Sequence, residues 1–167
     1  MLRSLARIFA VICVLALTAG TVQARESLGL YGSWGAFRDP LIPRCYAIAM
    51  AEPSASRRDY QPYAAIGTWP RRGARNQVHF RLSRKLGAEP AITLHIGAER
   101  IGLIGGGGDA WPANDRDNAA IIAAMRSTTS MTVNARDAQG RLFANSWPLA
   151  GAASAMDAAA IGCARLR

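Results

Sequence analysis

Ser130-Met-Thr-Val-Asn-Ala-Arg136, Asp137-Ala-Gln-Gly140 and Arg141-Leu-Phe-Ala-Asn-Ser-Trp147 form the stretch whose reading decides the fold. The first segment alternates, with Met131, Val133 and Ala135 on one side of an extended chain and Thr132, Asn134 and Arg136 on the other. Asp137 to Gly140 has the residues of a type I turn, with Gly140 supplying the left-handed position of a G1 bulge. That turn pairs Asp137 with Arg141, Ala135 with Phe143, Val133 with Asn145 and Met131 with Trp147. Met131, Val133, Ala135, Phe143 and Trp147 then share one face. A slip of one residue would send Phe143 and Trp147 to the side of Thr132 and Asn134, so glycine and hydrophobic pattern select the same register. Asn145 is the one polar residue on the apolar side.

Beyond Pro148 the sequence becomes Gly151-Ala-Ala-Ser-Ala-Met-Asp-Ala-Ala-Ala-Ile-Gly-Cys163. Alanine is the best helix former, and its small side chain gives a flat surface suited to packing on a sheet. Ser154 and Asp157 resemble a capping box and Gly162 a helix terminator. On this reading Cys163 follows the helix directly.

At the other end, Arg3 and Arg7, the apolar run Ile8 to Ala19 and Val22-Gln23-Ala24 read as a cleavable signal peptide over residues 1–24. The run is shorter than the ~20 residues a membrane-spanning helix needs, so no transmembrane helix is expected after cleavage. The remainder, residues 25–167, is expected to be a single β-sandwich domain. Removing Arg3 and Arg7 from the 20 basic residues leaves 18 against 11 acidic ones, a net charge of about +7. Cys13 lies in the leader, leaving Cys45 and Cys163. An even pair in an exported chain reads as a disulfide, one that ties the first recognised strand to the last helix.

Between these ends, Pro43 to Met50 and Tyr63 to Trp69 read as strands, and Glu52 to Asp59 as a surface loop. Leu30 to Pro40, with Gly32, Gly35 and Pro40, reads as an irregular aromatic lead-in whose Trp34 and Phe37 plug the core. Arg71, Arg72 and Arg75 form the densest basic cluster and lie in a loop. They are the expected contact with an anionic partner: an envelope polymer, a host surface or another envelope protein. Nucleic acid is not expected, because no recognisable binding motif accompanies the charge.

Asn76 to Arg84 and Ala91 to Gly97 alternate clearly and, paired about Gly87, would set His79 opposite His95. Two imidazoles on one face are the start of a zinc or copper site, although structural zinc takes four ligands and catalytic zinc three. No third ligand is evident. Glu99 to Ile104 reads as another strand and Gly105 to Asn114 as a flexible loop, since the lysine and hydroxyl residue of a phosphate loop are missing. Asn114 with Asp115 and Asp117 reads as the capped start of a helix carrying Ile121, Ile122 and Met125 on its apolar side. Gly32-Ser33-Trp34-Gly35 lacks the first glycine of a nucleophile elbow. With no catalytic residues and no cofactor motif to assign, the chain reads as a non-enzyme. The alternative is a small metal-binding or hydrolytic enzyme using His79 and His95.

The leader, Gly32-Ser33-Trp34, the strand opening Cys45-Tyr-Ala-Ile-Ala, the helix and glycine hairpin, and Phe143-Ala-Asn-Ser-Trp-Pro-Leu-Ala-Gly-Ala-Ala-Ser-Ala-Met-Asp157 together resemble the invasion-associated locus B family. Leu149-Ala150-Gly151 stands where that family has its Leu-x-Gly segment. The resemblance implies a periplasmic or secreted protein of a Gram-negative bacterium, an immunoglobulin-like β-sandwich with small helices, and a role in host-cell entry or envelope support. It implies no catalytic residue. Members often carry further cysteines, which this chain lacks. The expected class is therefore mainly β, a sandwich with one or two short helices.

Overall fold

The computed structural model describes residues 25–164; the leader expected over residues 1–24 lies outside them. The described chain is mainly β and sandwich-like. Its strands are β1 (Glu26–Tyr31), β2 (Trp34–Asp39), β3 (Arg44–Met50), β4 (Tyr63–Trp69), β5 (Ala74–Arg81), β6 (Ile92–Ile96), β7 (Glu99–Gly106), β8 (Asp109–Pro112), β9 (Ser130–Arg136) and β10 (Leu142–Pro148). Two α-helices, α1 (Asp115–Met125) and α2 (Ala152–Ala164), complete it. The strands form one antiparallel sheet in the order β1-β2-β3-β4-β5-β8-β7-β6-β9-β10.

Side-chain alternation divides this sheet into two faces. On the inner face, cross-strand neighbours run Ala47 to Ile66 to Val78 and Ala49 to Ala64 to Phe80. In the second half, Ile101, Leu94 and Val133 form one row. All of these side chains are buried. The sheet curls until its halves meet: Phe80 packs on Trp147 with ring centroids 5.5 Å apart, Trp34 Nε1 donates to the Pro148 carbonyl at 2.9 Å, and Glu52 N donates to the Ser146 carbonyl at 2.8 Å. Trp34 thus closes the core as expected, whereas Phe37 turns outward.

Helix α2 lies on β1 to β4, presenting Ala152, Ala155, Met156, Ala159 and Cys163 to the inner face. Helix α1 packs Ile121 and Met125 toward β5, β6 and β8. Arg126 and Asp157 join the helices through an ion pair at 2.6 Å. Cys45 and Cys163 form the expected disulfide, with Cα atoms 5.6 Å apart across 118 residues. On a chain-entropy basis a loop of that length contributes about 4–5 kcal/mol through the unfolded state.

The β9–β10 hairpin has the register read from its sequence. Met131 pairs with Trp147, Val133 with Asn145 and Ala135 with Phe143. Gly140 adopts φ 77° and its N–H donates to the Asp137 carbonyl at 2.8 Å. Asn145 earns its buried position: its Oδ1 accepts from Ser83 N at 2.9 Å, deep in the molecule.

That bond helps explain the principal correction. β5 and β6 do not pair with each other about Gly87; β5 lies between β4 and β8, and β6 between β7 and β9. The segment joining them is a strap with both sides occupied. Leu82 N and Leu86 N donate to the carbonyls of Gly108 and Gly107 at 2.7 and 2.6 Å, while Asn145 takes Ser83 N. Leu82 and Leu86 are buried beneath it. Asp137 accepts from Arg84 at 2.7 Å, from Arg141 Nε at 2.9 Å and from two backbone amides. Burial alone would raise the Asp137 carboxyl, but the Arg141 and Gln139 amides and the Arg141 guanidinium outweigh it and hold the group below its ordinary value.

Three smaller readings change as well. The aromatic lead-in belongs to a hairpin, β1–β2, that turns at Gly32 with φ 61° and shifts register once, between Ser27 and Gly29. The glycine run is also a hairpin, β7–β8, where a Cβ at Gly105 would lie 2.2 Å from the Asp109 carbonyl oxygen. Gly162 does not end α2, which continues through Cys163, and Asp157 pairs with Arg126 rather than closing a capping box with Ser154. A Cβ at Gly162 would stand 2.5 Å from Leu28, so the glycine admits β1 against the helix.

Candidate functional site

The outer face of β2 to β5 and β8 carries a high density of rings. Of the twelve aromatic residues in the sequence, Phe37, Tyr46, Tyr63, Trp69 and Trp111 lie on these strands and Tyr60 in the adjoining β3–β4 loop. The cause is local. In β4 the alternation Tyr63, Ala65, Gly67, Trp69 points outward while Ala64 and Ile66 point inward, and β3 adds Arg44, Tyr46 and Ile48 to the same outer side.

Small residues between the rings open a trough of about 280 Å³ over Ala65 and Gly67. Tyr46 and Gln77 flank Gly67 across the strands, and Ile48 and His79 flank Ala65. A Cβ at Gly67 would lie 2.4 Å from Trp69 Cη2. Glycine there lets the indole lie down on the sheet. Phe37 stacks on Tyr46 at 5.7 Å, the Arg44 guanidinium covers Tyr46 at 4.9 Å, and His79 stands between Tyr63 at 5.6 Å and Trp111 at 5.3 Å. Arg81 lies 3.9 Å over the Tyr60 ring. Stacked and cation-covered rings hold one another in place, so the surface is organised before any ligand arrives.

The polar groups here are mixed. Asp39, itself buried, pairs with Arg25 at 3.7 Å and Arg44 at 3.5 Å. Asp109 takes both Arg81 and His79, the latter at 3.0 Å. Arg44 Nε has no acceptor among the described residues. Gln77 also lines a second cleft, of about 560 Å³, between the start of β5 and the β8–α1 junction. There Asn118 completes the strand edge, accepting from Val78 N at 2.9 Å and donating to the Asn76 carbonyl at 3.0 Å.

Arg71 and Arg72 occupy the β4–β5 connection, whereas Arg75, expected in the same loop, is the second residue of β5. Pro70–Arg72 forms a single 3₁₀ turn closed by left-handed Gly73 with φ 67°. All three arginines are exposed, and among the described residues none is in an ion pair. They continue directly from Trp69, so the basic tip and the aromatic trough adjoin.

His79 and His95 are not brought together. Both lie on the outer side, but two strands separate β5 from β6, making three spacings of about 4.8 Å. They are also displaced along the sheet: His79 stands beside Trp111, which is level with Ile104, whereas His95 pairs with Arg100. The expected cross-strand pair required a β5–β6 hairpin, and the buried strap replaces it. Among the described residues no group of three or more His, Cys, Asp or Glu is arranged to hold a metal.

No described helix is long and apolar enough to cross a membrane. No protein-family model, curated protein or solved structure matches the chain. The chemistry of the outer face is what points to a ligand.

Proposed function

We propose that the protein is a non-enzymatic, exported interaction module of the periplasm or envelope, of the invasion-associated locus B type, which contacts an anionic partner through the β4–β5 tip. One observation carries this reading: Arg71, Arg72 and Arg75, the densest basic cluster of the sequence, are exposed and form no ion pair among the described residues, whereas Arg44, Arg81, Arg84 and Arg126 are paired. A cluster of unpaired cations raises the local concentration of anions and gives binding that weakens with salt. The Cys45–Cys163 disulfide is compatible with an oxidising compartment, and the excess positive charge of the chain suits an anionic partner. The motif running from Phe143 to Asp157 supports the family reading.

The test is retention on envelope fractions across a salt series. Replacing Arg71, Arg72 and Arg75 together by Ala is expected to abolish the salt-dependent part of retention. Unchanged retention of the folded triple variant would refute the contact.

A further inference from the structure

We infer that the aromatic trough beside this tip is a subsite for a glycan chain, and that the anionic partner is an acidic polysaccharide. The inference rests on the proposed anionic contact and names its chemistry. A sugar ring presents an apolar C–H face and a rim of hydroxyls. Trp69 offers a ring surface along a narrow floor of Ala65 and Gly67 bounded by Tyr46, whose ring Phe37 and Arg44 hold in place, and the electron-rich face of an aromatic ring attracts polarised C–H groups. Each hydroxyl both donates and accepts a hydrogen bond. The groups lining the trough match this: Gln77 and the tyrosine hydroxyls both donate and accept, Arg25 and Arg44 donate, and the His79 ring adds a further polar edge.

This balance separates the trough from a nucleic-acid groove. A phosphate chain needs unpaired cations along its track, but Arg25 and Arg44 share Asp39, and Arg81 shares Asp109 with His79. The cations that line the trough, Arg25 and Arg44, are thus already neutralised by the buried Asp39 behind them. A protein partner would seek an apolar centre for its interface, yet Ile48 is the single branched aliphatic side chain lining the trough. Arg71 and Arg72, which form no ion pair among the described residues, follow Trp69 and Pro70 in the chain. The arrangement therefore divides the work, with ring stacking and hydroxyl bonding on the floor and acid recognition at the tip.

Tryptophan fluorescence of the folded protein with two probes tests the division: a galacturonate hexamer and the neutral cellohexaose. Saturable binding of the acidic hexamer is expected, at least tenfold tighter than the neutral one. Ala65→Gln, which fills the floor from the exposed side, and Tyr46→Ala should each weaken both sugars at least tenfold, with melting temperatures close to the parent. The triple arginine variant should weaken only the acidic hexamer. Failure of either sugar to bind at millimolar concentration, or indifference of the acidic hexamer to both floor variants, overturns the inference. Tighter, floor-dependent binding of an oligothymidylate assigns the trough to nucleic acid, and floor-dependent capture of a protein without sugar binding assigns it to a protein; both overturn it. If the floor variants bind normally while the arginine variant leaves the envelope, the glycan subsite fails and the basic contact stands. If sugars bind the floor while envelope retention ignores the arginines, the contact fails instead.

Discussion

The two faces of β3, β4 and β5 are built from the same short strands and do opposite things. Inward, Cys45, Ala47, Ala49, Ala64, Ile66, Val78 and Phe80 are buried beneath α2 and the opposing hairpin. Outward, Tyr46, Ile48, Tyr63, Ala65 and His79 remain half-buried and uncovered. The inner face carries mostly small residues, because a helix of alanines must approach closely and a disulfide must reach from strand to helix. The outer face carries large rings with small residues between them. Size, more than polarity, distinguishes core from candidate site in this protein.

The contrast breaks most sharply at the disulfide. Replacing Cys45 and Cys163 together by Ala is expected to lower the unfolding free energy in urea by about 4–5 kcal/mol, with the outer trough still formed in whatever fraction remains folded. A smaller inner-face change is Asn145→Ala. It strands the buried Ser83 N–H and should cost about 1–3 kcal/mol, measured by the same unfolding curve; a neutral result would mean that the strap repairs itself.

Acid separates the faces differently. Asp137 and Asp157 are both held below their ordinary range, Asp157 chiefly by its hydrogen bond from Arg126. Each therefore binds fewer protons folded than unfolded. Their stabilisation is complete above the unfolded carboxylate value of about 3.9 and disappears as pH falls through the lower folded values. Asp137→Asn should flatten the dependence of melting temperature on pH below that point. A slope identical to the parent would show that the strap's carboxylate is dispensable.

The smallest stability effect is expected on the outer face. Trp111→Ala removes a ring that is 38% exposed and should shift the unfolding free energy by under about 1 kcal/mol, within the range of surface substitutions. A loss matching a core residue would make the outer rings part of the scaffold and erase the distinction between the faces.

Much of the scaffold was legible because its signals are local. Gly140 and the alternation of Met131, Val133, Phe143 and Trp147 specify one hairpin register. Asn114 caps α1 through Asp117 N at 2.9 Å, and β4 has the bounds its pattern implies. The β5–β6 pairing misled because Leu82 and Leu86 are equally good core residues in a strap and in a strand, and the carboxylate and amide that hold the strap come from Asp137 and Asn145, more than fifty residues later. The Gly105 to Gly108 run misled for a related reason: glycines that permit close approach look the same in sequence as glycines that permit motion.

The trough left a trace that composition hides. Tyr63, Gly67 and Trp69 fall on one parity of β4, opposite Ile66, so the strand has two unpolar sides and gives no simple inside–outside alternation. Only the register, which places Tyr46 beside Gly67 and His79 beside Ala65, turns those scattered rings into one surface. Arg71, Arg72 and Arg75 were visible as a charge cluster, and the structure adds the aromatic surface they adjoin.

The disulfide also orders the protein in time. Cys45 waits for a partner 118 residues away, and Trp34 for a carbonyl 114 residues away, so the inner face is completed by contacts of the kind that form late. The outer face is made chiefly by neighbours along the chain, the β2–β3 and β3–β4 turns and the β4–β5 tip. The inner face is thus held by long loop closures and the outer face mainly by short ones, with Trp111 and Asp109 of β8 its distant contributors.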